Sequence, residues 1–430
     1  MGSPASIRVV LLGMGVVGSG VARALTERSD TYTRRVGVPI ELLKVLVQDP
    51  KKERGVKLPA GVITTDADEV FSTDCDIVIE VIGGEEPAHG FIKRAIEQHR
   101  YVVTGNKEVM AKHGAQLLSM ATNAGVDILY EASVGGGIPI VSPLKRDLSA
   151  NDITSLRAII NGTTNYILTR MSREGSDFAD ALRGAQDLGY AEADPTNDVE
   201  GHDAVYKLAI LASLAFHTTV RPEDVFREGI TKLTPRDFRY ADELGYAIKL
   251  LAIARRDSDG ISTRVHPALI AKDQLLANVD GVLNAVQVEG DLIGRVLFQG
   301  AGAGSLPTTS AVMADVLDAA RSIVHGGKPS PWRYTADMPA VPVTGLISRH
   351  YLRIEVADQP GVLAVIARSF GDNGVSIASV IQKETDEAAQ RAELVIMTHA
   401  ARESAVQASI DQIASVPEVI QVGSVIRAED

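Results

Sequence analysis

The sequence predicts an α/β protein in three parts: a doubly wound α/β domain, an α+β domain, and a C-terminal ferredoxin-like βαββαβ domain. Three observations carry this. An apolar run, IRVVLL at 7–12, breaks into the glycine turn GMGVVG and resumes with helical periodicity through Val17, Val21, Ala22 and Leu25. Further strand-like runs then alternate with helical patterns, the order that builds a parallel sheet. After the proline-rich stretch GGKPSPWRYTADMPAVPVTG at 326–345, the chain restarts with a new strand and helix rhythm.

The first domain is expected over 1–143. Strand, glycine turn and helix in that order form a dinucleotide fingerprint, in which the helix N-terminus receives the pyrophosphate. Gly13, Gly15 and Gly18 are its glycines, with Val16 and Val17 opening the helix. The remaining strands are ELLKVLV (41–47), DIVIEVI (76–82), RYVVTG (100–105) and VDILYEA (126–132), separated by helical patterns such as FIKRAIEQ (91–98) and GAQLLSMATNAG (114–125). This is a Rossmann-type arrangement, and its ligands collect at the carboxyl ends of the strands. Gly83 and Gly84 follow one strand, and Gly105, Asn106 and Lys107 follow another, which brings Lys107 to the rim of the cofactor crevice. After VLV, Asp49 suits a ribose hydroxyl, whereas Lys51, Lys52 and Arg54 suit a 2'-phosphate. NAD and NADP both stay open, with the basic cluster tilting the expectation to NADP.

A net charge of −12 argues against a nucleic-acid partner, which rewards basic surfaces. The single cysteine, Cys75, excludes an internal disulfide framework and a CxxC metal site, and a cytoplasmic location is expected. Residues 9–21 are apolar, but glycines interrupt them, and no segment has the roughly 18–20 uninterrupted apolar residues of a membrane span.

The second, substrate-binding and dimerisation domain is expected over 144–304. It opens on the turn NGTTNYIL (161–168), continues to the acidic stretch GYAEADPTNDVEGHDAVYK (189–207), and enters the apolar helix LAILASLAF. Short strands are expected near 282–289 and 292–298. Glu200, Asp203 and Lys207 share one helical face at offsets of three and four. Taken alone, that spacing gives an exposed ion pair worth about 0.3–0.5 kcal/mol. The turn GAGAGSLPTTSAV, ending at Val312, precedes a helix over 305–325 expected to return to the nucleotide domain. It reads either as an ordinary capped helix N-terminus or as a contact near the phosphates or nicotinamide.

After a linker at 326–349, residues 350–430 read as βαββαβ: YLRIEVA, the helix in DQPGVLAVIARSFGDNG, VSIASVIQ, RAELVIMTH, the helix ESAVQASIDQIA, and VIQVGSVIR. Asp358, Pro360, Gly361, Asn373 and Gly374 resemble the turn motif of an ACT domain, a module that pairs with itself and binds small amino acids. A plain dimerisation domain is the alternative.

Taken together, GMGVVG, TGNKE, EASVGGGIPI, NGTTNYIL, LGYAEADP, the D-x-x-G-x-D-x-x-x-K pattern ending at Lys207, and GAGAGSLPTTSAV resemble homoserine dehydrogenase with a C-terminal ACT domain, over essentially the whole chain. The resemblance implies NAD(P)-dependent, reversible interconversion of L-aspartate 4-semialdehyde and L-homoserine in the biosynthesis of threonine, methionine and isoleucine. It implies Lys207 as general acid and base, with Lys107 beside the nicotinamide and the reacting oxygen. Glu192 and Asp203 would hold the amino-acid end of the substrate, supported by Asp198, with Gly162, Thr163 and Tyr190 also touching it. Gly13, Gly15, Val16, Val17, Gly18, Gly83, Gly189 and Gly304 would meet the cofactor. Glu131, Val134, Gly136 and Ile138 match a monovalent-cation site for sodium or potassium, built from backbone carbonyls and one carboxylate. Feedback by threonine at the ACT domain and a homodimer or homotetramer are also implied.

The residue types suit this chemistry. Reducing an aldehyde requires a hydride at carbon and a proton at the developing alkoxide, and a lysine ammonium both stabilises that charge and supplies the proton. Its ordinary pKa of about 10.4 must fall, by burial or a neighbouring cation, for reversible action near neutrality. Two rivals fail. A thiol-dependent semialdehyde dehydrogenase needs a nucleophilic cysteine, yet Cys75 lies before DIVIEVI, away from the crevice end. A short-chain reductase needs Tyr-x-x-x-Lys, and no tyrosine here has a lysine four residues on. A related nicotinamide enzyme on a similar substrate, or a silent nucleotide and amino-acid sensor, remains as an alternative; the lysine and carboxylate set argues against silence.

Overall fold

The computed structural model describes residues 4–327, 332, 334–386 and 390–429. Contacts divide the chain into two units: Met1–Leu156 with Tyr206–Pro222 and Asn284–Met338, and Arg157–Val205 with Glu223–Leu283 and Pro339–Asp430.

In the first unit a parallel sheet contains β1 (Ile7–Leu12), β2 (Ile40–Leu46), β3 (Ile63–Thr64), β4 (Ile77–Glu80), β5 (Tyr101–Thr104) and β6 (Ile128–Leu129). Their order is β3-β2-β1-β4-β5-β6, so the direction of winding reverses between β1 and β4, the place where such sheets bind ligands. Apart from Arg8, which half-emerges to pair with Asp76 at 2.9 Å, β1 is buried throughout. Helices on both faces leave a central strand no solvated side, hence its continuous apolar run. The core packs Val9, Leu11, Ile77 and Ile79 with Val312 and Val316 from the helix Ser305–Val324. That helix therefore belongs to the nucleotide core, about 180 residues after β6 in sequence.

The second unit takes up the end of β7 (Ile153–Ile159), then β8 (Phe226–Arg227), β9 (Tyr246–Asp257) and β10 (Gly260–Ala271). The chain returns to the first unit with β11 (Leu283–Gly290) and β12 (Gly294–Ala301). β9 and β10 form a twelve-pair antiparallel hairpin outside the strands expected from sequence. Their central residues, Ile248–Ala254 and Val265–Ile270, are buried on both faces, which hides the period-two alternation that would reveal a strand.

The C-terminal region is β13 (Ile347–Ala357), helix Val362–Asp372, β14 (Ile377–Asp386), β15 (Arg391–Thr398), a short β16 (Ala401–Arg402), helix Glu403–Ala414 and β17 (Val419–Glu429). It is the expected βαββαβ order, with its own core of Leu352, Ile354, Ile366, Phe370, Ile396 and Ile413. It is not a separate sheet. β17 pairs in parallel with β10 through Ala268–Arg427, Leu269–Ala428 and Ile270–Glu429. The strands β9-β10-β17-β13-β15-β14 thus run as one sheet. Part of the proline-rich linker lies outside the described residues; within it, Ala340 bridges to Ile261 and Val343–Gly345 forms a single 3-10 turn. Among the described residues, no helix is long and apolar enough to cross a membrane.

Candidate functional site

The fingerprint glycines each answer a steric demand. Gly13 has φ +94°, and a Cβ there would stand 2.9 Å from the Val81 carbonyl oxygen; one at Gly18 would stand 2.1 Å from the Gly13 oxygen. At Gly15 a Cβ would meet nothing within 4 Å, leaving the backbone open to an approaching pyrophosphate. Val16 and Val17 begin the helix Val16–Glu27, with Val16 72% exposed at its N-terminus. The Ser305 hydroxyl, next to Gly304, donates to the Val16 carbonyl at 3.2 Å and ties the second glycine turn to the first.

A crevice of about 570 Å3 runs from Gly13 and Gly15 to Asp49, Lys52, Arg54 and Thr65. Arg54 closes one wall: its guanidinium donates to the carbonyls of Met14 (3.0 Å), Asp49 (2.7 Å) and Lys52 (2.6 Å). Lys52 stays exposed at the rim. An acidic residue, Asp49, and a basic residue, Lys52, thus share that end of the crevice.

At the ends of β4 and β5 a second cavity, about 220 Å3, is bordered by Gly83, Lys107, Ser133, Gly136, Lys207 and Thr308. Two lysines exactly one hundred residues apart in sequence meet the same space. Their frame is built by Glu80, which sequence reasoning passed over, and by Asn106, which it named only as following a strand. Buried Glu80 accepts from the Ile82 amide (2.7 Å) and the Thr104 hydroxyl (2.7 Å). Asn106 caps the helix Lys107–Ala124 by accepting from the Val109 amide (3.1 Å) and donates to the Gly84 carbonyl (2.7 Å). Burial pushes the Glu80 carboxyl up, against the hydrogen bonds from Thr104, Ile82, Asn106 and Gly83. An asparagine just before a helical pattern was the legible sign of this cap.

The acidic stretch lies mainly in the second unit and is organised by Asn161. Its side-chain nitrogen donates to Asp198 (2.7 Å) and to Asp203 (2.9 Å), while its oxygen accepts from the Thr164 amide (2.9 Å) and caps the helix Gly162–Glu174. The Thr163 hydroxyl donates to the Tyr190 carbonyl at 2.6 Å, and Tyr190 packs edge-on against Tyr166. Asp203 is buried, Glu192 is exposed, and Gly189 turns the chain with φ +74°. Asp203 and Lys207 follow one turn apart on the helix His202–Ala215. Sequence reading named Gly162 and Thr163 in the NGTTN turn; the asparagine before them is the residue that holds two of the expected carboxylates.

The loop Glu131–Ile138 is folded tightly. The Glu131 carboxylate accepts from the amides of Ile140 (2.6 Å), Val141 (2.8 Å) and Ser142 (2.7 Å), and its own amide donates to Asp315 (2.8 Å). Both carboxylate oxygens therefore serve the chain, and carbonyls are the groups this loop offers a cation. Among the described residues no backbone amide donates to the carbonyls of Val134, Gly136 or Ile138. A Cβ at Gly136 would fall 2.4 Å from the Gly302 oxygen, so the loop packs against the second glycine turn.

The comparisons with known proteins agree along the chain. The pattern of the homoserine dehydrogenase family matches residues 139–317, that of the homoserine dehydrogenase NAD-binding domain residues 13–131, and that of the ACT domain residues 350–418. Homoserine dehydrogenase of Corynebacterium glutamicum is 42% identical over 434 residues, spanning 100% of this chain and 97% of its own. The crystal structure of a homoserine dehydrogenase from Thiobacillus denitrificans is similar at TM-score 0.93 and 43% identity, covering 99% of this chain and 98% of its own. A hyperthermophilic archaeal homoserine dehydrogenase in complex with NADPH is similar at TM-score 0.63 and 27% identity, covering 73% of this chain and 97% of its own.

Proposed function

The chain belongs to the homoserine dehydrogenase family and is an NAD(P)-dependent oxidoreductase, and we propose that Lys207 is its general acid and base. The observation that carries this is the shared cavity of Lys107 and Lys207 at the ends of β4 and β5. The open backbone at Gly15 and the crevice leading from it suit a dinucleotide, which when bound exchanges a hydride with the substrate carbon. Lys207 gives a proton to the oxygen of L-aspartate 4-semialdehyde as L-homoserine forms, and removes it in the reverse direction. Lys107 adds a second positive charge beside that oxygen and stabilises its developing negative charge. Glu192 and Asp203 accept from the substrate ammonium, and Asn161, which donates to both Asp198 and Asp203, holds Asp203 in place. Gly162, Thr163 and Tyr190 also touch the substrate, and Gly189 and Gly304 meet the cofactor.

NADP is the preferred cofactor in this reading, with Lys52 facing the 2'-phosphate and Asp49 the ribose. A sodium or potassium ion sits among the carbonyls of Glu131, Val134, Gly136 and Ile138. The product feeds threonine, methionine and isoleucine synthesis, and threonine acts back through the ACT domain. The chain assembles as a homodimer or homotetramer, an assignment supported by exposed Leu292 and Ile293 at the β11–β12 turn. The single free cysteine, Cys75, is buried and fits a reducing cytoplasm.

The deciding experiment measures homoserine oxidation with each cofactor in wild type and Lys207→Ala. A fall in kcat of at least about 100-fold is expected, the low end for general acid and base catalysis. A folded variant with near-normal turnover would sink the assignment. Replacing sodium and potassium chloride by choline chloride at equal ionic strength tests the cation: loss of activity is expected, and no change removes it from the reading.

A further inference from the structure

Within the first unit a hollow of about 460 Å3 opens between three helices, Val16–Glu27, Ser29–Val36 and Ser305–Val324, and the reaction above does not use it. It shares no lining residue with the dinucleotide crevice or with the cavity of Lys107 and Lys207. Its floor is apolar: Tyr32, Met313 and Leu317 are buried there, and Ala24 is half-buried. Leu306 stands at its lip, 75% exposed. Gly20 lets the first and last of these helices close on each other, since a Cβ there would stand 2.1 Å from Thr309 Oγ1. That oxygen is buried and has no hydrogen-bond partner among the described residues, so the hollow also carries an unsatisfied hydroxyl.

The rim is basic, in a chain whose net charge is −12. Arg23, Arg28 and Arg35 border the hollow against one carboxylate, Glu27. Other arginines of this unit are paired, Arg8 with Asp76, Arg94 with Asp68 and Arg321 with Asp318. The three at the rim form no ion pair among the described residues, and the side-chain hydrogen bond they make there is a long one, 3.4 Å from Arg23 to the Gly55 carbonyl. Each guanidinium keeps a planar fork of donors that fits a carboxylate or phosphate through two parallel hydrogen bonds. A bare inorganic anion would answer the arginines and leave the floor unused; an apolar amine would bury its chain and meet repulsion at the rim. A molecule that joins an apolar body to an anionic head satisfies both parts. The volume lies in the range of small-molecule sites, about 300–1,000 Å3.

We propose that this hollow binds an organic anion, its carboxylate or phosphate head at Arg23, Arg28 and Arg35 and its apolar body over Tyr32, Met313 and Leu317. The first turns of the helix Ser305–Val324 connect it to the reaction. Leu306 and Thr309 border the hollow, Thr308 borders the cavity of Lys107 and Lys207, and the Ser305 hydroxyl donates to the Val16 carbonyl at the fingerprint turn. An anion that packs against Leu306 and Thr309 therefore bears on the turn that receives the dinucleotide, and KM for the dinucleotide changes with it. This coupling rests on the dehydrogenase reading; the binding does not.

The test is calorimetric titration of the full chain with octanoate and with octyl phosphate, below their micelle concentrations and at fixed ionic strength, against octylamine and inorganic phosphate. At least one of the two amphipathic anions is expected to bind and to raise the melting temperature, and the stronger of them identifies the head group. Octylamine and inorganic phosphate should bind at least about tenfold more weakly, a loss of about 1.4 kcal/mol. The double charge reversal Arg28→Glu with Arg35→Glu, and separately Ala314→Trp, an exposed position from which the indole fills the hollow, should each weaken binding by a similar factor. Failure of both anions to bind, equal binding of octylamine, or binding indifferent to both variants overturns the site. KM for the dinucleotide is measured with and without the bound anion, and an unchanged value overturns the coupling. A chain that turns over homoserine but binds neither anion refutes only the hollow, and a chain that binds but does not turn over refutes only the catalytic assignment.

Discussion

The nucleotide crevice and the seam between β10 and β17 solve opposite problems. The crevice must leave room, and it is made of absences: no side chain at Gly15, none tolerated at Gly13 or Gly18. The seam must hold the C-terminal module in register, and it is made of buried charge. On one side of the module Asp237, fully buried, accepts from Arg353 Nε (2.7 Å), Ser424 (2.7 Å) and its own capping partner Thr234. Arg353 continues to Glu393 (3.0 Å), which accepts from Tyr240 (2.5 Å). On the other side Arg264 pairs with Glu429 (2.7 Å), and Arg427, held within the module by Glu403 (2.6 Å), reaches across to Glu228. A ligand site can be written in local sequence, whereas a seam requires partners from distant parts of the chain. The C-terminal module is thus an extension of the sheet and not a tethered attachment.

The largest effect expected is at the seam. Asp237→Ala leaves Arg353 short of its main partner and should cost about 3–5 kcal/mol, the usual result of breaking a buried pair, read as a fall in the denaturant midpoint. A loss under about 1 kcal/mol would mean the module is held by strand pairing alone. For the same reason, truncation near Thr344 strips β17 from β10 and should destabilise the whole chain, making point substitutions the cleaner probe of regulation. Next comes Lys207→Ala, whose loss of at least about 100-fold in kcat corresponds to roughly 2.7 kcal/mol. Its melting temperature should stay near wild type, separating a site residue from a seam residue.

Asn161→Ala should cost about 1–2 kcal/mol through the lost helix cap. Because it also releases Asp198 and Asp203, KM for homoserine should rise with it; an unchanged KM would limit Asn161 to capping. A pH effect follows from Glu403. Burial opposes its charge, but hydrogen bonds from His350 and Arg427 outweigh burial and hold it down at about 2. A carboxylate with a depressed folded value adds stability that is complete above its ordinary value near 4.5 and is lost as pH falls from there through about 2. Acid unfolding should steepen in that window for wild type, and Glu403→Gln should flatten it. The smallest effect is Lys52→Ala, expected to weaken NADP by roughly fivefold, about 1 kcal/mol, with NAD unchanged. Equal loss for both cofactors would take Lys52 off the 2'-phosphate.

The strands of the nucleotide sheet and the C-terminal βαββαβ order were legible because each depends on neighbours in sequence: an apolar run, a glycine turn, a helical period. The β9–β10 hairpin was not, since burial on both faces erases alternation. At the site, Lys207 and the carboxylates stood out as a dense charge pattern. Asn161 and Glu80 did not, because a polar residue beside a helix or inside a strand announces itself only when its partners, 37 and 24 residues away, are brought to it.

By itself the sequence determined the periodic and the sterically demanding features: the strand and helix order, the fingerprint glycines, and the acidic segment that ends in Lys207. Tertiary structure alone decided which distant groups meet. It brought Lys107 to the cavity of Lys207, gave β17 to β10, and set Asp237 against Ser424 across 187 residues of chain. Local patterns follow from backbone sterics and the energetics of burial along a few residues. A buried charge is tolerable only once a partner arrives, and that partner can come from anywhere in the chain.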